Sequence, residues 1–126
     1  MNQYSQRVSI DIVPTIALTQ MTWDEIWRLT QTLYDTERDY AEAKLKEHQR
    51  IGLFRAGPAL IGMVSMDIYP VEFRQRRLAV IYTAHVLIHE QYRGHNLIQR
   101  VGFRSFLEAR LRFPLRPIYW FFDTFS

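Results

Sequence analysis

One stretch, Leu78–Leu111, constrains the fold more than any other part of the sequence. It opens with a long apolar run at Leu78–Ile88, continues through a polar turn at His89–His95, and ends in a helical pattern that begins near Asn96. This order predicts a strand, a tight glycine turn and a helix, which together form an anion site. The backbone N–H groups of the turn and the helix dipole point at one place, and Gly94 lets a phosphate approach without a Cβ in the way.

The rest of the chain is divided into elements by its hydrophobic periodicity. Strands are predicted at Val8–Val13, Ile51–Arg55, Ala59–Tyr69, Leu78–Ile88 and Ile118–Phe122, and helices at about Trp23–Tyr34, Glu37–His48 and Asn96–Arg112. The polar segment Val71–Arg77 is interpreted as a connection. The order βααβββαβ contains no repeat and no linker. It predicts a single domain of the α/β (α+β) class with a mixed central sheet flanked by helices.

Local signals suggest how the helices begin and pack. Thr22 with Glu25 resembles a capping box at the start of the first helix, and Thr36 is the candidate cap of the second. Gly102 lies inside the last helix, where glycine costs roughly 1 kcal/mol of helix propensity relative to alanine. We therefore expect Gly102 to mark a point where this helix packs closely on the sheet.

Composition excludes several classes of protein. The chain has 126 residues, of which 48% are hydrophobic, so it can form one domain with a substantial core. It has no cysteine, and therefore no disulfide framework and no thiolate zinc site. No apolar run reaches eighteen residues, and the N-terminus lacks the layout of a signal peptide. We expect a cytoplasmic location and no membrane partner.

The chain is mildly basic, with a net charge of +3. Arginines are grouped before, within and just after the predicted anion-site stretch: Arg74, Arg76, Arg77, Arg93, Arg100, Arg104, Arg110, Arg112 and Arg116. A solvated surface explains most of them, and a basic surface also favours anions such as a nucleotide cofactor. Nucleic-acid binding through these arginines is a further possibility, but no motif supports it.

The glycine turn carries a motif. Gln91–Asn96 reads QYRGHN, which resembles the signature of the GCN5-related N-acetyltransferases (the GNAT superfamily): Gln or Arg, two residues, Gly, one residue, then Gly or Ala. The signature follows a strand and opens a helix, as it does here. Asn96 departs from the pattern, and asparagine tolerates left-handed and cap conformations. The resemblance extends over nearly the whole chain and implies a GNAT-like acyl-CoA N-acyltransferase fold.

The resemblance also implies a cofactor and a reaction. Acetyl-CoA would be the cosubstrate, with its pyrophosphate on backbone N–H groups of the turn and its pantetheine arm along the end of the preceding strand. The residues concerned are Val86, Leu87, Ile88, Gln91, Tyr92, Arg93, Gly94, His95 and Asn96. The implied activity is direct transfer of an acetyl (acyl) group to an amine, with an unidentified acceptor. The alternative is a catalytically inactive module of the same fold that binds CoA or a protein partner.

Candidate proton-transfer groups lie on the long apolar strand and the turn after it. They are Tyr82, His85, His89 and Glu90. His85 is notable because an imidazole can accept a proton near neutral pH, although a hydrogen-bonded core histidine is the more ordinary interpretation. Strand alternation assigns Tyr82 and His85 to opposite faces of the sheet.

Other polar residues near the predicted site have weaker roles. His89 and His95 flank the turn and are alternative phosphate contacts. Asp123 is a candidate polar lining residue of the cleft. The tyrosine that usually serves as acid in the resembled family lies in a helix after the last strand, and Tyr119, inside the strand, does not match it.

Two other kinds of site are disfavoured. His85 and His89 are separated by about 13 Å if both lie on an extended strand, so they do not form a metal pair, and no metal is expected. A dinucleotide-binding unit needs G-x-G-x-x-G and repeated parallel βαβ units. The single glycine of the turn and the preceding run of strands argue against it.

The final residues, YWFFDTFS, are unusually aromatic. A strand of this composition is a sticky edge unless something covers it. Because the resembled domain continues beyond such a strand, we expect residues 1–126 to be one GNAT-like domain that is incomplete at its C-terminal end. A homodimer, or other association through the last strand, is the corresponding expectation for partners.

Overall fold

The computed structural model describes residues 7–122, which form one five-stranded sheet with helices on both faces. The elements are β1 (Val8–Pro14), α1 (Gln20–Leu33), α2 (Arg38–Lys46), β2 (Arg50–Ala56), β3 (Ala59–Phe73), β4 (Arg76–Ile88), α3 (Leu97–Arg112) and β5 (Ile118–Phe122), with short 3₁₀ turns at Thr15–Ala17 and Glu90–Tyr92. The strands lie in the order β1-β2-β3-β4-β5. Only β4 and β5 are parallel to each other. The predicted class and element order are confirmed.

The core has one layer on each face of the sheet. On one face, α3 packs through residues such as Leu97 and Val101 against Phe54 and Val64. On the other face, α1 packs with Trp23, Ile26 and Leu29 against Ile51, Leu53, Met63 and Leu87. Side chains alternate along the strands, so β1, β2, β3 and β4 each supply residues to both layers. The sheet thus separates an α3 face from an α1 face.

The connection between β3 and β4 is shorter than the sequence suggested. The prediction that Val71–Arg77 is a polar connection is wrong, because β3 continues to Phe73 and β4 starts at Arg76. Only Arg74 and Gln75 form the turn, with φ of 50° and 66°. Two consecutive left-handed residues are the geometry of a tight hairpin whose twist matches that of its strands. The two strands pair along this entire extension.

The predicted helix caps are also corrected. Helix α1 begins one turn earlier than expected, and its N-cap is Thr19, whose hydroxyl accepts a hydrogen bond from the Thr22 backbone N–H at 3.2 Å. Glu25 is therefore not part of a capping box. Its carboxylate instead receives two hydrogen bonds from Arg55 of β2, at 2.7 and 2.9 Å. The N-cap of α2 is Glu37, without a side-chain capping bond, rather than Thr36.

Gly102 is a close-packing point, as the sequence predicts. A Cβ at this position would lie 2.4 Å from the indole ring of Trp120. The same indole donates a hydrogen bond from Nε1 to the buried Thr83 hydroxyl at 2.9 Å. Gly102 therefore lets α3 lie against β5, while Thr83 fixes the orientation of the ring between them.

Several arginines of α3 and the loop after it serve the fold. Arg100 and Arg104 donate hydrogen bonds to the carbonyls of Val8 and Ile10 on β1. Arg116 donates to the Leu78 carbonyl of β4. These side chains lie near the surface, yet they satisfy backbone acceptors of the sheet. The predicted solvated basic face is thus partly a set of structural hydrogen bonds.

Candidate functional site

The glycine turn lies between the end of β4 and the start of α3. After Ile88 the chain makes the short 3₁₀ turn, and Gly94 then adopts a φ of 92°. Asn96 is left-handed, with a φ of 57°, and it precedes the first residue of the helix, Leu97. Apart from Gly94 and its two chain neighbours, no described residue has a heavy atom within 4 Å of the position that a Gly94 Cβ would occupy. The turn is therefore open to a ligand at the point where the motif has its glycine.

The backbone donors of this turn are only partly engaged within the protein. The Tyr92 N–H donates to the His89 carbonyl at 2.8 Å, and the Arg93 N–H donates to the Glu90 carbonyl at 3.3 Å. Within residues 7–122, the N–H groups of Gly94, His95 and Asn96 make no backbone hydrogen bond. Of the five N–H groups assigned to a phosphate from the sequence, these last three are the ones available.

A cavity of about 170 Å³ adjoins the turn. It is lined by Ile88, Tyr92, Arg93, Gly94, Asn96, Leu97, Ile98 and Gln99. Seven of these residues, all but Ile88, belong to the turn or to the first turn of α3, where the helix dipole favours negative charge. The cavity combines exposed backbone donors with one arginine, which suits an anionic group.

The residues at the end of β4, where the pantetheine arm is predicted to lie, place their side chains on alternate faces of the sheet. Val86 and Ile88 pack with the α3 face, whereas Leu87 is buried on the α1 face. Strand β4 pairs with β5 only as far as Thr83, which lies opposite Phe122. Among the described residues, the β5 side of β4 from Ala84 to Ile88 has no strand partner.

A β-bulge begins where the pairing of β4 with β5 ends. On the other side of β4, Met63 pairs with Leu87 but Ser65 pairs with Ala84, so His85 and Val86 both lie opposite Val64. His85 has a φ of 49°, which is uncommon for a residue with a side chain. A bulge adds one residue and redirects side chains after it. The strict alternation assumed from the sequence therefore fails at His85.

The bulge brings together two candidates that the sequence separated. Tyr82 and His85 were assigned to opposite faces, and this is wrong, because both rings lie against His48. The ring centroids of His48 and Tyr82 are 6.2 Å apart, and those of His48 and His85 are 5.0 Å apart. The three rings lie on the α1 face of the sheet, where the β4–β5 pairing ends: Tyr82 is still paired with Phe121, and His85 lies two residues past the last pair.

His48 itself is held by a buried carboxylate. Its Nδ1 lies 2.6 Å from Oδ2 of Asp67, and Oδ1 of Asp67 accepts the Gln49 backbone N–H, also at 2.6 Å. The Asp67 side chain is 1% exposed and that of His48 is 12% exposed. Burial raises the pKa of the neighbouring Tyr69 hydroxyl, and the charge of Asp67 raises it further. The polar cluster thus consists of Asp67, His48, Tyr82 and His85.

Sequence reasoning missed both His48 and Asp67. Asp67 was the available signal, because it is the only charged residue in the apolar run ALIGMVSMDIY, and a buried charge requires a partner. His48 carries no local signal, since it follows a charged helix and reaches Asp67 only through the fold.

The remaining predicted residues lie around the turn or beyond the described chain. Glu90 is exposed on the 3₁₀ turn, and Gln91 is also exposed. His89 and His95 both contact the ring of Tyr92, at centroid distances of 6.2 and 5.6 Å. Asp123 lies outside the described residues.

Residues 7–122 contain neither a group of metal-ligating side chains nor a helix suited to cross a membrane. No three His, Cys, Asp or Glu side chains are grouped so that they could hold a metal ion. None of the described helices combines the length and apolarity that crossing a membrane requires.

Comparison with solved structures identifies the architecture. The ribosomal-protein-alanine N-acetyltransferase of Brucella melitensis biovar Abortus 2308 superposes with a TM-score of 0.61 at 13% identity, covering 93% of this chain and 81% of that one. A GNAT family acetyltransferase of Staphylococcus aureus gives 0.61 at 15% identity, covering 94% and 88%. The chain has the GNAT fold. This confirms the fold that the resemblance implies.

A third structure with the GNAT fold was determined with a ligand. It is AAC(6')-Iy in complex with the bisubstrate analogue CoA-S-monomethyl-acetylneamine, with a TM-score of 0.59 at 11% identity and coverage of 94% of this chain and 81% of that one. No protein-family model matches the sequence, and no curated protein is significantly similar to it. At these identities the likeness concerns the fold.

Proposed function

We propose that this protein transfers an acetyl group from acetyl-CoA to an amine. The observation that carries the proposal is the open turn at Gly94, with its cavity, its three available N–H groups and the start of α3. The pyrophosphate would lie there, because backbone donors and a helix N-terminus suit a phosphate without needing a metal. The GNAT fold of the chain supports this choice of cofactor.

The edge of β4 supports the rest of the cofactor site. The pantetheine arm carries amide groups, and an extended arm can pair with the edge of Ala84–Ile88 in the manner of an added strand. Its thioester would then lie near His85, where the bulge redirects the strand. In this arrangement the cofactor phosphates would lie at the start of α3, and the reacting carbonyl would lie beside the polar cluster.

Positioning of the two substrates would supply much of the catalysis. Holding a thioester and an amine at reaction distance removes entropy that the uncatalysed reaction must lose. His85 and Tyr82, next to the proposed acyl position, are the catalytic candidates from the sequence that best suit proton transfer. Glu90 lies on the turn, closer to the proposed phosphate position, and suits this role less well.

Calorimetric titration of acetyl-CoA tests the cofactor site. We expect micromolar binding to the wild-type protein, and loss of binding in Gly94→Glu through bulk and charge repulsion. Gly94→Gln is the matched control, because it has the same bulk and the same strain at positive φ without the charge. Weaker binding to the Glu variant than to the Gln variant, at equal melting temperatures, would locate the phosphates at the turn. Unchanged affinity in Gly94→Glu would contradict the proposal.

A second candidate function is a non-catalytic module that binds a protein partner. It is favoured by the exposed aromatic side chains of β5, which include Tyr119 and Phe121. The two functions are separated by acetyl-CoA binding followed by thiol release with a panel of amines. Binding without any thiol release would favour a CoA-binding module, and absence of binding would favour the protein-partner module.

The proposed location is the cytoplasm, where acetyl-CoA is available to an enzyme. Neither a metal nor a nucleic acid has a part in the proposed reaction. The acceptor is an amine of unspecified identity, since the acceptor side of the cleft carries no motif.

A further inference from the structure

We propose that His48, oriented by Asp67, is the base that deprotonates the acceptor, and that the acceptor arrives as a primary ammonium ion. This rests on the proposed function and assigns a role within the same site. Neither residue belongs to the motif or to the strand on which the sequence places its candidates. The inference comes from the geometry of the polar cluster.

Asp67 determines which nitrogen of His48 can react. A carboxylate only accepts hydrogen bonds when it is ionised, so the 2.6 Å contact assigns a proton to Nδ1 of the imidazole. In the neutral ring this leaves the lone pair on Nε2. The other carboxylate oxygen is held by the Gln49 N–H at 2.6 Å, which fixes the orientation of the carboxylate. Asp67 is therefore a positioning residue and His48 is the proton acceptor.

The location of His48 matches the place where the amine must react. Its ring centroid lies 5.0 Å from that of His85, the residue at the bulge beside the segment of β4 on which the pantetheine arm is proposed to lie. The proposed pantetheine path along Ala84–Ile88 ends at this point. The cofactor turn packs with the α3 face, whereas His48 lies on the α1 face, so the acceptor and the phosphates would approach from opposite faces of the sheet.

The rings around His48 suit a small cation. Tyr82 stacks on His48 with an angle of 21° between ring planes, and the π-faces of aromatic rings attract ammonium groups. The Asp67 carboxylate adds negative charge at the Nδ1 side of the imidazole. No described arginine or lysine pairs with Asp67, so its counter-charge would be supplied by the substrate or by the protonated imidazole.

The proposed step balances as follows. Nε2 of His48 takes one proton from R–NH₃⁺, and the amine lone pair then forms a C–N bond with the thioester carbonyl carbon. The C–S bond breaks, and its electron pair leaves with sulfur. The nitrogen loses a second proton, which neutralises the thiolate to give the CoA thiol. His48 returns its proton to solvent, so the products are the N-acetyl amine, the CoA thiol and one proton.

NMR of protein labelled with ¹⁵N in histidine tests the orientation and the location of His48. We expect the neutral His48 ring to carry its proton on Nδ1, and we expect a cross-relaxation signal between this ring and the ¹³C-labelled methyl group of bound acetyl-CoA. In Asp67→Asn, the amide can donate to Nδ1, so the ring should switch to the Nε2–H form. Asp39→Asn, on the exposed surface of α2, is the matched control and should change neither signal.

Thiol release from acetyl-CoA tests the base. At pH 7, ethylamine is almost entirely an ammonium ion, whereas hydroxylamine is mostly unprotonated and needs no base. His48→Gln and Asp67→Asn should therefore reduce release with ethylamine by about a hundredfold, the usual scale of general base catalysis, and change release with hydroxylamine little. Equal losses with both amines would mean that His48 only supports the structure, and would overturn the proposal.

The outcomes separate this inference from the proposed function. If calorimetry shows acetyl-CoA binding but the His48 ring is protonated on Nε2, or shows no contact with the acetyl methyl group, the inference fails and the cofactor site stands. If acetyl-CoA does not bind and the Gly94 variants behave as the wild type does, the proposed function fails, and the inference fails with it.

Discussion

At the scale of single residues, two positions show how one residue determines the contact between two elements. Gly102 has no side chain because the Trp120 indole occupies that space, and the indole is itself held by Thr83. Glu25 forms a two-point ion pair with Arg55, which joins α1 to β2. Both residues have local roles that sequence patterns suggest, helix propensity and helix capping, yet both act through tertiary contacts.

Gly102→Ala should destabilise the protein by about 1 kcal/mol, although alanine is the better helix former. The new methyl group overlaps the indole, and overpacking of about 1–3 kcal/mol exceeds the propensity gain of roughly 1 kcal/mol. Urea unfolding provides the measurement. In the Trp120→Ala background the same change should instead be stabilising. Destabilisation of equal size in both backgrounds would contradict the contact.

Glu25→Gln should lower the free energy of unfolding by about 1 kcal/mol at pH 7, the usual scale for a two-point Arg–carboxylate pair near the surface. The hydrogen bonds from Arg55 hold the pKa of Glu25 below its ordinary value of 4.5 in the folded protein. The stabilisation is therefore present above pH 4.5 and is lost as the pH falls through the lower, folded-state pKa.

The measurement is urea unfolding of both proteins between pH 7 and pH 3. The difference in unfolding free energy between wild type and Glu25→Gln should shrink over the acid end of that range. A difference that stays constant with pH would mean that the ionised carboxylate is not the source of the stability. Arg55→Met, alone and combined with Glu25→Gln, isolates the pair energy in a double-mutant cycle.

At the scale of elements, β4 carries most of the proposed site. Its start forms the hairpin with β3, its middle pairs with β5, and its end bulges at His85 and leads to the Gly94 turn. The bulge places Tyr82 and His85 beside His48, and among residues 7–122 the pairing of β4 with β5 ends at Thr83. Strand β4 thus connects the polar cluster to the Gly94 turn, where the cofactor phosphates are proposed to bind.

The hairpin turn makes a separate prediction. Arg74 and Gln75 both adopt positive φ, where asparagine and glycine are preferred. Replacing the pair by Asn-Gly should raise the free energy of unfolding by about 0.5–1 kcal/mol, because the strain of two left-handed residues is relieved. Thermal unfolding is the measurement. Arg76→Gly, one residue later in β4, serves as control and should be destabilising, since glycine weakens a strand.

At the scale of the whole molecule, the β5 edge of the sheet exposes a group of aromatic side chains. Strand β5 is the last in the sheet order, and Tyr119, Trp120, Phe121 and Phe122 are each between 42% and 56% exposed. On the neighbouring α3, Phe103 and Leu107 are also exposed. An aromatic edge strand of this kind is a template for pairing with another chain.

We therefore expect residues 1–126 to self-associate through β5 as protein concentration rises. Sedimentation velocity should show a concentration-dependent dimer or larger species. The double variant Tyr119→Lys with Phe121→Lys should shift the equilibrium to monomer, because charges on an edge strand oppose pairing. Leu115→Lys, in the loop before β5 and 95% exposed, is the control and should leave the equilibrium unchanged. A wild-type monomer at high concentration would contradict the prediction.

Local patterns in the sequence determined the order of the elements, the glycine turn at Gly94 and the close approach at Gly102. Each of these depends on residues near one another in the chain, where periodicity and backbone preference act directly. Only the tertiary structure decided the polar cluster. His48 and Asp67 are nineteen residues apart and meet through the pairing of β2 with β3, and Tyr82 and His85 share a face only because β4 bulges. Strand register and a one-residue bulge are set by packing across the sheet. The period-two alternation of a single strand carries no information about that packing.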